Sequence, residues 1–347
     1  MRHQVVVALL VASASLLVVD GRGGASDAEA CGGFFSPRRI AGNRKPSMAY
    51  EQTLIAFDPG SRREHFVREV TFRRSRERFG FVVPTPSRPE VAAVKQSPFR
   101  DLLDAFPFTW MERHPIGHGG GGSGSGYGRG AGAGVRVLEV TRVGSFTAFV
   151  LAATDERALS NWLAQNGLVS TPEADRWLAH YVRMQFFYVA MRYEPPGGES
   201  RPETKAETMR ISFDTPLPYY PYFEPEPPAG QAADPERLLE IWLVSTEEFV
   251  PVAARTHDDR VRWVQPFAEG EKFLEDQRAV LEPIVGAALL PAQGTPIVQR
   301  FMDQKVSRAG FGDVLFVPRN TTTPDAALRS SLLHALPILD PSLAEAP

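Results

Sequence analysis

Residues 51–57 and 66–72 alternate apolar and polar side chains with a period of two, the pattern of half-buried strands, and Asp58-Pro59-Gly60-Ser61 between them is turn chemistry. Residues 79–83 give a third strand, ended by Pro84-Thr85-Pro86. Ser97 and Pro98 then stand as an N-cap serine and a first-turn proline, predicting a short helix with Leu102, Leu103 and Phe106 on its apolar face. Residues 135–140 and 146–151 flank Val143-Gly144-Ser145 as an antiparallel hairpin. Two helices follow. Thr154-Asp155 caps the first, which carries Leu159, Trp162 and Leu163 and closes at Asn166-Gly167. Thr171-Pro172-Glu173 opens the second, with Trp177, Leu178, Tyr181 and Val182 on one face. Strands are predicted again at 186–192, 209–213 and 238–244. Beyond residue 248 the pattern weakens to a helix capped by Thr295-Pro296, bearing Val298, Phe301 and Met302, and a short strand at 314–317.

Consecutive strand pairs with few β-α-β alternations predict an α+β fold: antiparallel strands with a helical pair (155–184) packed on one face and a flexible Gly-rich insertion. That insertion, residues 117–134, holds eleven glycines in eighteen positions and cannot bury enough surface to offset its ordering entropy. A phosphate loop would need a helix directly after it, whereas the chain leaves it into the strand at 135–140. The chain thus divides into a leader (1–30), a strand-rich part (31–116), the insertion (117–134), an α+β part (135–247), a weakly patterned region (248–319) and a tail (320–347).

The leader changes the picture most. Arg2 precedes an uncharged, mostly apolar run at 5–19, and Ala28-Glu29-Ala30 is an A-x-A cleavage site, so a signal peptide removed before Cys31 is expected. As a helix that run reaches about 22 Å, short of the roughly 30 Å hydrocarbon core. No later segment approaches a span, so the mature chain is expected to be soluble, exported to the periplasm or the exterior. Cys31, the only cysteine, excludes an intrachain disulfide. It would be the lipidation site of an anchored form, although Ala28 and Glu29 depart from the small, leucine-led pattern of such sites. With 38 basic and 41 acidic residues, the charge gives no reason to expect nucleic acid or an anionic membrane as partner. An apolar share of 43% places the chain among globular proteins.

Several stretches together resemble a known family. Ala30-Cys31-Gly32-Gly33 is followed by Phe79 to Ser87, then by Asp155 with Ala158-Leu159, Trp162-Leu163 and Asn166-Gly167, and finally by Ile211-Ser212-Phe213-Asp214 before Tyr220-Pro221. Their order is similar to that of an uncharacterised family of exported bacterial proteins, domain of unknown function 2330, over roughly residues 30–245. The resemblance implies export and a shared fold. It implies no activity and carries over no catalytic residue. The long glycine insertion departs from the family pattern.

Candidate chemistry is sparse. His114 and His118 stand four apart at the mouth of the insertion, but Pro115 and Gly117 argue against the helix that would make them metal ligands. His257-Asp258-Asp259 offers a base with carboxylates, or a surface turn. The serines at 123 and 125 lack the glycine spacing of a nucleophile elbow. Tyr219, Tyr220, Tyr222 and Phe223, on a proline-stiffened segment, are the candidate binding residues: rings that either stack on a glycan or partner chain, or plug the edge of the core. No motif asks for a cofactor. The expected function is a non-catalytic binding or structural module of the bacterial cell envelope, with an unidentified envelope component or glycan as partner. The alternative is an exported hydrolase whose site assembles from residues distant in sequence.

Overall fold

A computed structural model describes residues 33–35, 47–73, 78–107, 134–194, 203–225, 238–257, 260–303, 308 and 310–320. Among them the strands, in chain order, are Gly33–Phe35 (β1), Ser47–Asp58 (β2), Arg63–Arg73 (β3), Phe79–Thr85 (β4), Glu90–Ala93 (β5), Val135–Val143 (β6), Phe146–Ala153 (β7), Phe187–Tyr193 (β8), Glu203–Lys205 (β9), Met209–Asp214 (β10), Tyr219–Tyr220 (β11), Leu238–Ser245 (β12), Phe249–His257 (β13), Arg260–Val264 (β14), Ala268–Phe273 (β15), Ile297–Asp303 (β16) and Phe311–Pro318 (β17). The helices are Phe99–Ala105 (α1), Glu156–Gln165 (α2), Pro172–Arg183 (α3) and Arg278–Val285 (α4), with a 3₁₀ turn at Ala287–Leu289.

The strands form three sheets. The first has the order β1-β4-β8-β7-β6. The largest runs β15-β16-β12-β2-β3-β10-β5, with β9 against β3, and the smallest is β11-β17-β13-β14. Pairing is antiparallel except where β12 lies parallel to β2. The α+β architecture with a helical pair on one face is therefore the fold of this chain.

Register assigns the faces. Phe79, Phe81, Phe146 and Tyr193 share the inner face of the first sheet and meet the large sheet through Phe72, whose ring centroid lies 4.6 Å from that of Phe79 and 5.9 Å from that of Phe81. Burying one such ring contributes about 1.5–3 kcal/mol, and this interface is lined with them. The opposite face carries the helical pair, with Trp162 edge-on to Phe149 at 5.1 Å. Gly80 is required there, because a Cβ would stand 2.6 Å from the Met191 carbonyl oxygen and 2.5 Å from the Leu168 side chain. The inner face of the large sheet also packs on the small sheet, through Phe57 against Phe249 and Phe301 against Phe316. Its outer face holds a second apolar cluster in which Leu54, Val67, Trp242 and Val298 lie beneath Phe99, Leu102 and Phe106 of the α1 region and Leu281 of α4.

Both helices of the pair start as their sequences dictate. Asp155 accepts from the Ala158 amide at 2.7 Å and Thr171 accepts from the Ala174 amide at 3.2 Å, each satisfying a first-turn donor. Gly167, at φ +81°, ends α2 in the left-handed conformation that glycine adopts without penalty.

Three local expectations are corrected. Residues 297–303 are a strand, not a helix: β16 is buried along its whole length between β12 and β15, so it lacks the alternation that marks a half-exposed strand. Helix α1 begins after Pro98, which sits at its N-cap without a side-chain hydrogen bond, so Ser97 is not the cap. Leu103 is 42% exposed, while Phe99 and Leu102 are the buried residues of α1.

Candidate functional site

The segment from Leu217 to Glu224 runs through the seam where α3 and the large and small sheets meet. Its two-residue strand pairs Tyr219 with Leu315 and Tyr220 with Val314, and the Phe316 amide donates to the Pro218 carbonyl at 3.0 Å. An extended segment sends successive rings to opposite sides. Here both sides are covered. Tyr219 meets Phe186 and Phe213 at 6.1 Å each, Tyr220 meets Phe66 of the large sheet at 5.9 Å, and Tyr222 meets Phe267 at 5.2 Å. All three tyrosines are 0% exposed, and Phe223 is half-buried against His180. The rings plug the core instead of presenting a stacking face, because the segment, although it forms the edge strand of the small sheet, lies between layers.

Their hydroxyls organise a set of buried carboxylates. Asp313, on β17, accepts from the Tyr181 hydroxyl at 2.9 Å, the Tyr219 hydroxyl at 2.9 Å and the Phe223 amide at 2.9 Å. Burial pushes its carboxyl up to about 6, against the opposing pull of these donors. Asp303 accepts from the Tyr222 hydroxyl at 2.7 Å and from Nε of Arg308 at 3.0 Å, and Arg308 also reaches Glu224 at 3.3 Å while lying over the Tyr222 ring. Oε2 of Glu64 accepts the Tyr219 amide at 2.7 Å, and burial holds that carboxyl well above the usual carboxylate range. Burial likewise raises the Tyr181, Tyr219 and Tyr222 hydroxyls, so they serve as donors and not as nucleophiles. Chemically this arrangement fixes geometry: it aligns three layers through directional bonds in a place where an unmade bond is costly.

A second polar set covers the outer face of the large sheet. Glu240 accepts from the Tyr50 hydroxyl at 2.6 Å and Nε2 of Gln52 at 2.9 Å and is paired with Arg300, whose guanidinium lies over Trp242. Glu69 holds Lys205 at 2.7 Å and the Thr208 hydroxyl at 2.8 Å. His65 shares a 2.8 Å hydrogen bond with Ser212; burial, then the charges of Arg210 and Arg63, lower its pKa to about 4. Beside these groups, beneath α4 and the 3₁₀ turn, lies a pocket of about 190 Å³, walled by Leu54, Val67, Val94, Gln96, Ile284 and Leu289 with Arg210 at one side.

Cys31, His114 and His118 lie outside the described residues, as do the glycine insertion before Gly134 and Asp258-Asp259. Among the described residues no three histidine, cysteine or acidic side chains are grouped as a metal site. Glu64, Asp303, Arg308, Asp313 and Arg210 escape the sequence reading. A signal for the first was present: alternation puts Glu64 and Arg68 in one stripe with Phe66, Val70 and Phe72, and charges inside an apolar stripe mark buried pairs. Arg68 duly lies 2.7 Å from Glu51 with both side chains 1% exposed.

The model of a bacterial protein family described as an uncharacterized protein conserved in bacteria (DUF2330) matches residues 25–224. No curated protein and no solved structure matches the chain.

Proposed function

This chain belongs to the DUF2330 family of bacterial proteins, and from that premise we propose that it acts outside the cytoplasm as a non-catalytic binding or structural module of the cell envelope. The observation that carries the reading is the saturation of Asp313. A hydrolytic carboxylate must keep a lone pair for substrate or water, whereas both oxygens of Asp313 are taken up by Tyr181, Tyr219 and the Phe223 amide at 2.9–3.0 Å. Asp303 and Glu224 are committed to Arg308 in the same way. The leader, with its Ala28-Glu29-Ala30 site, supports export. Among the described residues no helix is long and apolar enough to cross a membrane. The exported-hydrolase alternative has in its favour the raised carboxyl of Asp313, since perturbed groups gather at active sites. Against it, that carboxyl is 3% exposed.

Fractionation of native cells with intact-mass measurement tests the reading. The expected species begins at Cys31 and is found outside the cytoplasm, with or without the added mass of a diacylglycerol at that cysteine. A cytoplasmic chain retaining Met1 overturns export. Incubation of the purified protein with an envelope fraction should leave that fraction chemically unchanged; release of fragments that stops when the protein is denatured overturns the non-catalytic half.

A further inference from the structure

On the outer face of the large sheet, three basic side chains have acidic partners. Arg63 lies 2.9 Å from Asp214 and 3.0 Å from Glu90, Lys205 lies 2.7 Å from Glu69, and Arg300 is paired with Glu240. Arg210 has no such partner among the described residues, and its Nε is buried without a hydrogen bond. Its backbone is fixed between two strands, opposite Val67 on β3 and Ala92 on β5, so the side chain emerges at a set point on this face. There it forms part of a wall whose other members include Leu54, Val67, Val94, Ile284 and Leu289. The side chain as a whole is partly buried, and a guanidinium nitrogen held out of water beside aliphatic side chains carries a desolvation cost that an anion would offset.

We propose that this pocket binds a small monocarboxylate bearing one branched or aromatic apolar group, with the carboxylate paired to Arg210 and the apolar group lodged against Leu54, Val67, Ile284 and Leu289. The size follows from the volume. An apolar cavity of roughly 150 Å³ accommodates a benzene ring, so about 190 Å³ admits a group of that order. The charge follows from the cation count: Arg210 is the one cation among the described lining residues, and one guanidinium matches one carboxylate in a two-pronged pair, whereas a dianion would keep a second charge without a cation. The pocket draws on β2, β3, the segment after β5, β10, α4 and the 3₁₀ turn, so an occupant would bridge the sheet and its helical cover. The proposal rests on the binding-module reading and gives it a ligand class.

The test is a methyl-detected NMR titration of the full mature chain with 4-methylpentanoate and with its neutral isostere 4-methylpentanamide. The acid should shift the methyl signals of Leu54, Val94, Ile284 and Leu289 saturably, and the amide should bind more weakly by about tenfold or more, the factor expected for losing a charge-assisted pair. Arg210→Gln should bring acid and amide to the same affinity. Leu289→Trp, which fills the pocket while keeping the guanidinium, should abolish binding of both. The proposal is overturned if acid and amide shift those methyls equally in the unaltered protein, if neither shifts them at millimolar concentration, or if Leu289→Trp leaves binding intact. Should Arg210→Gln fail to fold, the acid–amide comparison and Leu289→Trp still decide. The titration is read on purified protein, so its failure is separate from a cytoplasmic location or from turnover of envelope material.

Discussion

Glu64 and Tyr219, 155 positions apart, are joined by a 2.7 Å hydrogen bond in which the Tyr219 amide donates to Oε2 of Glu64. The bond fastens the start of β11 to β3, and so the small sheet's edge to the large sheet. It does so with a carboxyl that is 0% exposed and whose other oxygen, Oε1, has no hydrogen-bond partner among the described residues.

Glu64→Gln should therefore be neutral or stabilising at neutral pH. Burial raises the Glu64 pKa in the folded state. Its contribution is complete below the unfolded value of about 4.3 and is lost as pH rises through the folded value. Glutamine keeps the acceptor for the Tyr219 amide and has no such loss, so the advantage of the variant should grow with pH. Urea melts at acidic and neutral pH read this directly. A loss of several kcal/mol at both would mean that the carboxyl is held ionised.

Tyr181→Phe and Tyr219→Phe should each destabilise by about 1–3 kcal/mol, since each strips a hydrogen bond from the buried Asp313 carboxyl. The Asp313 pKa is already raised from 3.8 to about 6 by burial, and the two hydroxyls oppose that rise. Removing both pushes it higher. Stability in the double variant should thus fall more steeply as pH rises from about 4 to 7. Parallel pH profiles for the wild-type and double-variant chains would refute the coupling.

Arg308→Met should cost about 3–5 kcal/mol, because it leaves Asp303 and Glu224 buried with their cation gone. Combining it with Asp303→Asn and Glu224→Gln should recover a large part of that loss. Denaturant midpoints of the single and triple variants decide it; equal losses would locate the effect in packing over the Tyr222 ring.

His65 should titrate near 4 and be neutral at pH 7. The unfolded chain takes up this proton first, near 6.5, so stability should decline as pH falls from about 6.5 toward 4. Arg210→Gln removes one of the charges that depress it and should move the imidazole titration upward, as followed by its ring-proton shifts. An unmoved titration would mean that burial and Arg63, without Arg210, set the value.

The hairpin and the helical pair are legible in the sequence because short-range chemistry decides them. Gly144 turns at φ +55°, Asp155 and Thr171 cap, and Gly167 terminates. β16 is hidden for the opposite reason: Val298, Phe301 and Met302 have a helix-like spacing, and only the flanking β12 and β15 make the segment a strand. Tyr219, Tyr220 and Tyr222 are conspicuous as residues, yet their burial depends on β3, α3 and β17, distant in sequence. The pairing of Arg308 with Glu224, 84 positions away, has no local signature. Arg210 likewise becomes distinctive only when its neighbours on the sheet prove to be already paired.

The parallel contact of β12 with β2 has a consequence for how the chain can be cut and how fast it can fold. The family match ends at residue 224, but β12 begins at Leu238. A fragment stopping at the match would leave β2, a 12-residue strand containing Leu54-Ile55-Ala56-Phe57, with one long side unpaired. Such an edge recruits other chains, so that fragment should aggregate where the full chain does not. During folding, β2 must wait beside β3 until residues nearly 200 positions later arrive, a non-local closure of the kind that slows folding. The smallest piece able to fold on its own must therefore reach through β12 and its neighbour β16.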